Sequence, residues 1–234
     1  MGMVEFLWGL SDGINDAGLS IALAYGGRQE TGRGFGITTI LRYVLETCET
    51  VPQALRVLQR VPSHMPYNVV VADASGAGAS VEMYAGGGAK VHPRLVATNH
   101  QTDGSTPDRG SFTRTFERSK HLVSVLSEGV TPSALAGQFT QAPLKQDRYA
   151  EGFGTLFTAE YEPKRRKMTL HWDDEVWPQS IDAFEEGTRQ VTYGSAPSLV
   201  AAGGDINWVQ IGLDYAAGRG VDWRRFVPAG GDVA

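Results

Sequence analysis

Cysteine is almost absent. Cys48 is the single thiol in 234 residues, so no internal disulfide framework can define the fold. A reducing compartment suits such a chain, and the cytoplasm is the expected location. Long hydrophobic runs are missing too. No stretch matches the ~20 apolar residues of a membrane-spanning helix, so no membrane partner is expected. Positive charge is scarce: the formal net charge is −5, and the longest basic run is Lys164-Arg165-Arg166-Lys167, at an expected hairpin turn. A nucleic-acid partner is disfavoured, because displacing counterions from phosphates requires a basic surface. Phosphate-loop chemistry is absent as well. Gly32-Arg33-Gly34-Phe35-Gly36 lacks the Lys-Ser/Thr of a P-loop, and its glycines do not make GxGxxG. No His/Cys cluster has metal-ligand spacing, so neither a metal nor another cofactor is expected. Met1 to Leu10 has no basic n-region and no small-residue cleavage site, unlike a signal peptide. Phe6, Leu7, Trp8 and Leu10 give that start the look of the inside of a folded element.

What is present is ordinary globular material: 41% apolar and 20% charged residues, in a chain long enough to bury a core unaided. Leu19 to Tyr25 reads as a strand and Gly26 to Gly36 as a loop. Ile37, Ile40, Leu41, Val44, Leu45 and Cys48 recur at helical spacing, which places Cys48 on the apolar face. Thr50 and Gln53 suggest a capping box, with Pro52 in the first turn of a helix that turns Leu55, Leu58 and Val61 inward. Asn68 to Asp73 and Ser80 to Tyr84 read as paired strands, and Leu95 to Thr98 as a third. Ser111 to Ser127 reads as one helix with Phe112, Phe116, Leu122, Val123 and Leu126 apolar, and Thr131-Pro132 opens another. Thr155 to Tyr161 and Met168 to Trp172 flank a hairpin turn, and Ile181 to Gly187 is expected to be helical. There is no internal repeat. Strands and helices come in runs rather than in βαβ alternation, which favours an α+β layered fold.

Three places are candidates for chemistry. Asp12-Gly13-Ile14-Asn15-Asp16 precedes a strand: it reads as a turn, or as Asn15 presenting an amide or backbone N–H to a substrate. Asn99 and His100 end the LVATNH run. They read as a strand-terminating turn, or as a site edge where the uncharged Asn99 amide donates to a developing oxyanion. Arg114, at an expected helix start with Arg118 one turn on, opposes the helix dipole. Cys48, the only thiol, reads as a core residue, since a nucleophile needs an exposed, electropositive setting.

Taken in order, LWGLSDGINDAGLSIAL, ILRYVLETCETVPQALRVLQRVP, NVVVADASG with SVEMY, LVATNH, SFTRTFER and GTLFTAEYEP resemble the acyl-coenzyme A:6-aminopenicillanic acid acyltransferase-like cysteine peptidases over roughly residues 7–193. They more distantly resemble choloylglycine hydrolases and penicillin V acylases. The resemblance implies a four-layer αββα sandwich of the N-terminal-nucleophile type. It also implies amide hydrolysis or acyl transfer through an acyl-cysteine, with a small-molecule acyl amide or acyl donor as partner. Carried over by motif, it makes Asn15 the backbone donor of the oxyanion site, Asn99 its side-chain donor, and Arg114 the arginine holding the constellation.

The family's nucleophilic cysteine lies upstream of the DGIND motif, and here only fourteen residues precede Asn15, none of them cysteine. Residues 1–193 are thus expected to be the C-terminal majority of such a domain, without its N-terminal strands, and 194–234 an irregular extension. Three explanations stand: a truncated or mis-started gene, a partner chain that supplies the missing segment, or a protein that no longer catalyses but retains the pocket for binding; a homo-oligomer is also a possible partner state.

Overall fold

The computed structural model describes residues 1–5, 7–149 and 153–193. Phe6 and the expected extension, residues 194–234, lie outside the described residues. The chain divides into two compact units. One comprises Met1–Gln146 and Gly154–Val191, and the other Asp147–Phe153 with Thr192–Ala234. In the second unit the rings of Tyr149 and Tyr193 lie 5.5 Å apart, and Arg148 stacks over Phe153.

The first unit is an α+β fold of sheet and helix layers. Its main sheet has six antiparallel strands in sequence order: β1 (Gly2–Glu5), β2 (Gly9–Ile14), β3 (Ser20–Tyr25), β4 (Tyr67–Ala72), β5 (Gly78–Met83) and β6 (Ala89–His92). Alternation along these strands divides the sheet into two unlike faces. Leu19, Ile21, Val69, Val71, Ala79, Val81 and Met83 point to one face and are almost fully buried. They meet the apolar stripes of α1 (Ile37–Thr47) and α2 (Val51–Arg60). Cys48 caps α1 and is 4% exposed, within this core. Gln53 reaches back to the backbone N–H groups of Glu49 and Thr50, as the capping pattern anticipated. In α2 the buried face is Val51, Ala54 and Leu58, with Leu55 and Val61 only partly covered.

The opposite face carries Asp12, Ala22, Asn68, Val70, Ser80 and Glu82, which are small or polar. After two short strands, β7 (Asp147–Arg148) and β8 (Phe153–Gly154), a second sheet orders β11 (Val176–Ser180), β10 (Lys167–His171) and β9 (Thr158–Glu162). From β9, Tyr161 donates its hydroxyl hydrogen to Asp12. Burial is the main cause that lifts the Asp12 carboxyl above its usual range. Burial, then the Asp12 charge, keeps the proton on Tyr161.

Four expectations are corrected. Leu95 to Thr98 is not a strand, and β6 forms instead from Ala89–His92, which pairs with β5. The helix expected over Ser111–Ser127 breaks into α3 (Gly110–Thr113) and α4 (Thr115–Ser127), because Arg114 adopts φ 52°. Of its five apolar positions only Leu122 is buried, while Phe116 is 57% exposed. Residues 181–183 form bends and 184–187 are irregular rather than helical, and β11 was not anticipated. Elsewhere α5 (Pro132–Phe139) starts where expected, with Thr131 Oγ1 accepting from Ala134 N at 3.3 Å. No helix among the described residues is long and apolar enough to cross a membrane.

Asp73, just after β4, joins sheet to helix. Its carboxylate accepts from Val51 N at 2.8 Å, in the first turn of α2, and from Ser75 N at 2.9 Å. Burial alone would raise this carboxyl. Hydrogen bonds from the Ser75 hydroxyl and from backbone N–H groups outweigh burial and hold it below the usual range. A depressed carboxyl stabilises the fold above its unfolded value near 3.9, and that stabilisation is lost as pH falls through the folded value. Asp73→Ala is therefore expected to cost about 2–3 kcal/mol at pH 7, the penalty for stranding buried donors. In urea titrations, the gap between wild type and variant should stay constant above roughly pH 5 and narrow below about pH 4. A gap independent of pH down to 3 contradicts this assignment.

Candidate functional site

The polar face of the main sheet holds down the segment after β6. Asn68, on β4, donates through Nδ2 to the carbonyls of Thr98 at 2.7 Å and His100 at 2.8 Å. Gln101 Nε2 donates to Met83 O at 3.0 Å, and Glu82 Oε1 accepts from Thr102 N at 2.8 Å. This stretch is not a strand, yet side chains of β4 and β5 satisfy much of its backbone. The His100 ring accepts at Nδ1 from, or donates to, the hydroxyls of Thr115 at 2.9 Å and Thr98 at 3.1 Å, which locks it to the first turn of α4. Burial holds His100 below the usual histidine range, outweighing the Glu82 charge, and the Arg118 charge acts in the same direction as burial.

This scaffold sets Asn99. Its Oδ1 accepts from the Arg118 guanidinium, whose Nε also donates to Thr113 O at 2.9 Å. Its Nδ2 makes only a long 3.5 Å contact to Tyr25 O, so the amide donors are lightly used. Gly27, at φ +80°, permits the close approach: a Cβ there would sit 2.5 Å from Asn99 O. Arg118 is half-buried. Burial, and then the charge of Arg114, lowers its affinity for its proton, but an arginine remains charged.

The three expected site residues are not brought together. Asn99 lies at the Tyr25 end of β3. Asn15 lies at the Leu19 end, about 20 Å away at ~3.3 Å per residue. Its side chain donates to Leu45 O and Cys48 O at 3.0 and 2.7 Å, tying the β2–β3 turn to the end of α1. Its backbone N–H, the expected oxyanion donor, is committed to Leu19 O at 3.0 Å. Arg114 faces outward and pairs with Glu117 at 2.6 Å. Among the described residues, the guanidinium bonded to Asn99 is that of Arg118. The sequence signal for Arg118 was its spacing, four residues on from Arg114 across a helix break that periodicity does not reveal. Asn68 and Glu82 were missed as site residues, although each is a polar interruption in an apolar strand.

Two cavities open on this side of the sheet. The larger, about 540 Å³, lies between the β4–β5 turn, α5 and β9, and Leu95, Leu135, Ala136, Phe139 and Tyr161 make its wall largely apolar. The smaller, about 70 Å³, is polar and includes Asn68, Glu82, His92 and Thr98. The segment Leu95–Asn99 touches the apolar cavity at Leu95, lines the polar one through Val96, Ala97 and Thr98, and presents Asn99 beside Arg118. Among the described residues no three His, Cys, Asp or Glu side chains cluster as metal ligands.

Residues 1–177 match the family described as acyl-coenzyme A:6-aminopenicillanic acid acyl-transferase. Among solved structures, the chain is similar to a mutant of the conjugated bile acid hydrolase from Clostridium perfringens, at 10% identity and TM-score 0.48, covering 83% of this chain and 80% of that one. A second variant of the same hydrolase is similar at 11% identity and TM-score 0.45, with 84% and 83% covered. No curated protein matches the sequence.

The geometry separates the two arginines. Arg118→Ala removes a half-buried charge bonded to Asn99 and Thr113, and is expected to cost about 1.5–3 kcal/mol. Arg114→Ala loses the exposed pair with Glu117, a type of pair worth about 0–1 kcal/mol, and is expected to cost less than Arg118→Ala. Urea denaturation of both variants tests the ranking, and equal losses would return Arg114 to the site.

Proposed function

Because the chain belongs to the acyl-coenzyme A:6-aminopenicillanic acid acyl-transferase family, we propose that it forms the substrate-binding and oxyanion part of an amide hydrolase or acyltransferase working through an acyl-cysteine. The observation that carries this reading is the lightly used Asn99 amide held by Arg118, on a segment that also lines an apolar cavity of about 540 Å³. In such a reaction the thiolate attacks the acyl carbonyl and a tetrahedral oxyanion forms. The amine then leaves with a proton, and water or an acceptor amine takes the acyl group from sulfur. Asn99 donates to the oxyanion without adding charge. Arg118 is the positioning residue: by holding Oδ1 it fixes the direction of the two Nδ2 hydrogens. The apolar cavity, within the range that takes small-molecule groups, receives the acyl portion.

Cys48 does not suit the nucleophile's part. It is buried against core aliphatics, and its carbonyl accepts from Asn15. On this reading the nucleophilic cysteine and its strand come from a segment outside these 234 residues or from a second chain. Asn15 then acts as a turn residue that anchors α1 to β3. The buried lone thiol also favours a second reading, a binding protein that retains the pocket without catalysis.

The natural gene product, assayed against acyl amides such as penicillins, distinguishes these readings. Asn99→Ala is expected to lower kcat by about 10²-fold, the usual loss of one oxyanion donor. Cys48→Ala should leave kcat within about twofold, since a core thiol takes no part in acylation. An unchanged kcat in Asn99→Ala removes that residue from the mechanism. Acyl-enzyme trapped on Cys48 refutes the external nucleophile. Saturable acyl-amide binding without turnover selects the binding protein.

A further inference from the structure

The small polar cavity is lined by two buried side-chain atoms that no hydrogen bond among the described residues satisfies. Asn68 is 4% exposed, and its Oδ1, beside the cavity, has no hydrogen-bond partner among the described residues. The same holds for His92 Nε2, which lies 3.4 Å from Glu82 Oε1 but is not aligned to bond it. Glu82 is 5% exposed. Its carboxylate accepts from Thr102 N, the Thr102 hydroxyl and the Tyr84 hydroxyl, and a carboxylate has about four acceptor sites. Sheet register puts these groups side by side: Asn68 is directly opposite Glu82, and His92 is opposite Ser80, diagonal to Glu82. Basic groups also border the cavity, and His92 would pair with Glu82 if it were protonated. Lys90 Nζ sits on the Thr102 hydroxyl at 3.1 Å, and the exposed Arg94 lines part of the wall.

From this arrangement we infer that the cavity binds a small protonated amine, either ammonium or the head of a primary alkylammonium, through Asn68 Oδ1 and the Glu82 carboxylate. An apolar guest would leave these acceptors unpaired and an anion would face Glu82, so both are disfavoured. The –NH₃⁺ group offers three donors in one small volume and a charge that offsets the carboxylate. Size agrees. The cavity's 70 Å³ is several times the ~10–15 Å³ that one water needs. It is far below the ~300 Å³ of a drug-sized site. A neutral His100, held low mainly by burial, adds no competing charge. The inference does not rest on the acyl-transfer reading, because binding requires neither turnover nor a nucleophile.

The test is thermal unfolding and calorimetric titration of the full chain with ammonium chloride and with methylammonium chloride, using sodium and tetramethylammonium chlorides as controls. Saturable stabilisation by the N–H donors, absent with the controls, is the expected result. Tighter binding of methylammonium identifies an alkylammonium head, and tighter binding of ammonium identifies the free ion. Glu82→Gln should weaken binding at least about tenfold, the order expected for losing a charge-assisted bond. Should that variant not fold, Ala97→Leu fills the cavity while keeping its polar groups, and should abolish binding. A crystal structure of the wild type grown with methylammonium checks the site directly. A two-atom density on Asn68 Oδ1 supports the assignment. Single waters there, or equal stabilisation by all four salts, overturn it.

Discussion

Asn68 is the residue on which the polar side of this molecule turns. It stands in a largely apolar strand of the main sheet, yet it points away from the helices and spends both amide hydrogens on the carbonyls of Thr98 and His100. Those bonds replace the ladder that a strand would have made, and they hold an irregular segment in a single position. Asn99, between the two captured carbonyls, is thereby set against Arg118. Without this clamp the carbonyls of Thr98 and His100 would be left unsatisfied close to a sheet face.

The two faces of the sheet divide the labour. One is packed by α1 and α2 at near-complete burial, and it accounts for the bulk of the hydrophobic stabilisation. The other keeps small and polar residues, so a layer placed over it leaves cavities rather than a sealed core. The apolar cavity and the polar one are both consequences of that choice, and Leu95 to Asn99 runs past each. Asp12 and Tyr161 tie the second sheet to the same face through a buried bond between one carboxyl and one phenol.

Much of this was legible in the order of residues. The helical stripe from Ile37 to Cys48 announced both α1 and the burial of the only thiol, because a 3.6-residue period requires no distant partner to be read. The β4 and β5 pairing and the β9–β10 hairpin followed from short apolar runs around turn residues. Leu95 to Thr98 misled for the opposite reason. Its composition suits a strand, but a strand needs an edge to pair with, and Ala89–His92 already occupies the edge of β5. The single helix expected after Gly110 failed at Arg114, where a left-handed backbone conformation breaks the run with no glycine to signal it.

The sequence alone determined the family motifs, the buried face of α1 and the buried state of Cys48, since each depends on local spacing or on residue type. It also placed Asn99 among the candidates. Which groups meet was decided only by tertiary structure. The pairing of Asn99 with Arg118 rather than Arg114, and the removal of Asn15 to the far end of β3, follow from strand register and a helix break. Those are long-range outcomes: a one-residue change in register would turn Asn68 and Glu82 into the core, and nothing in their immediate neighbours records which way they face.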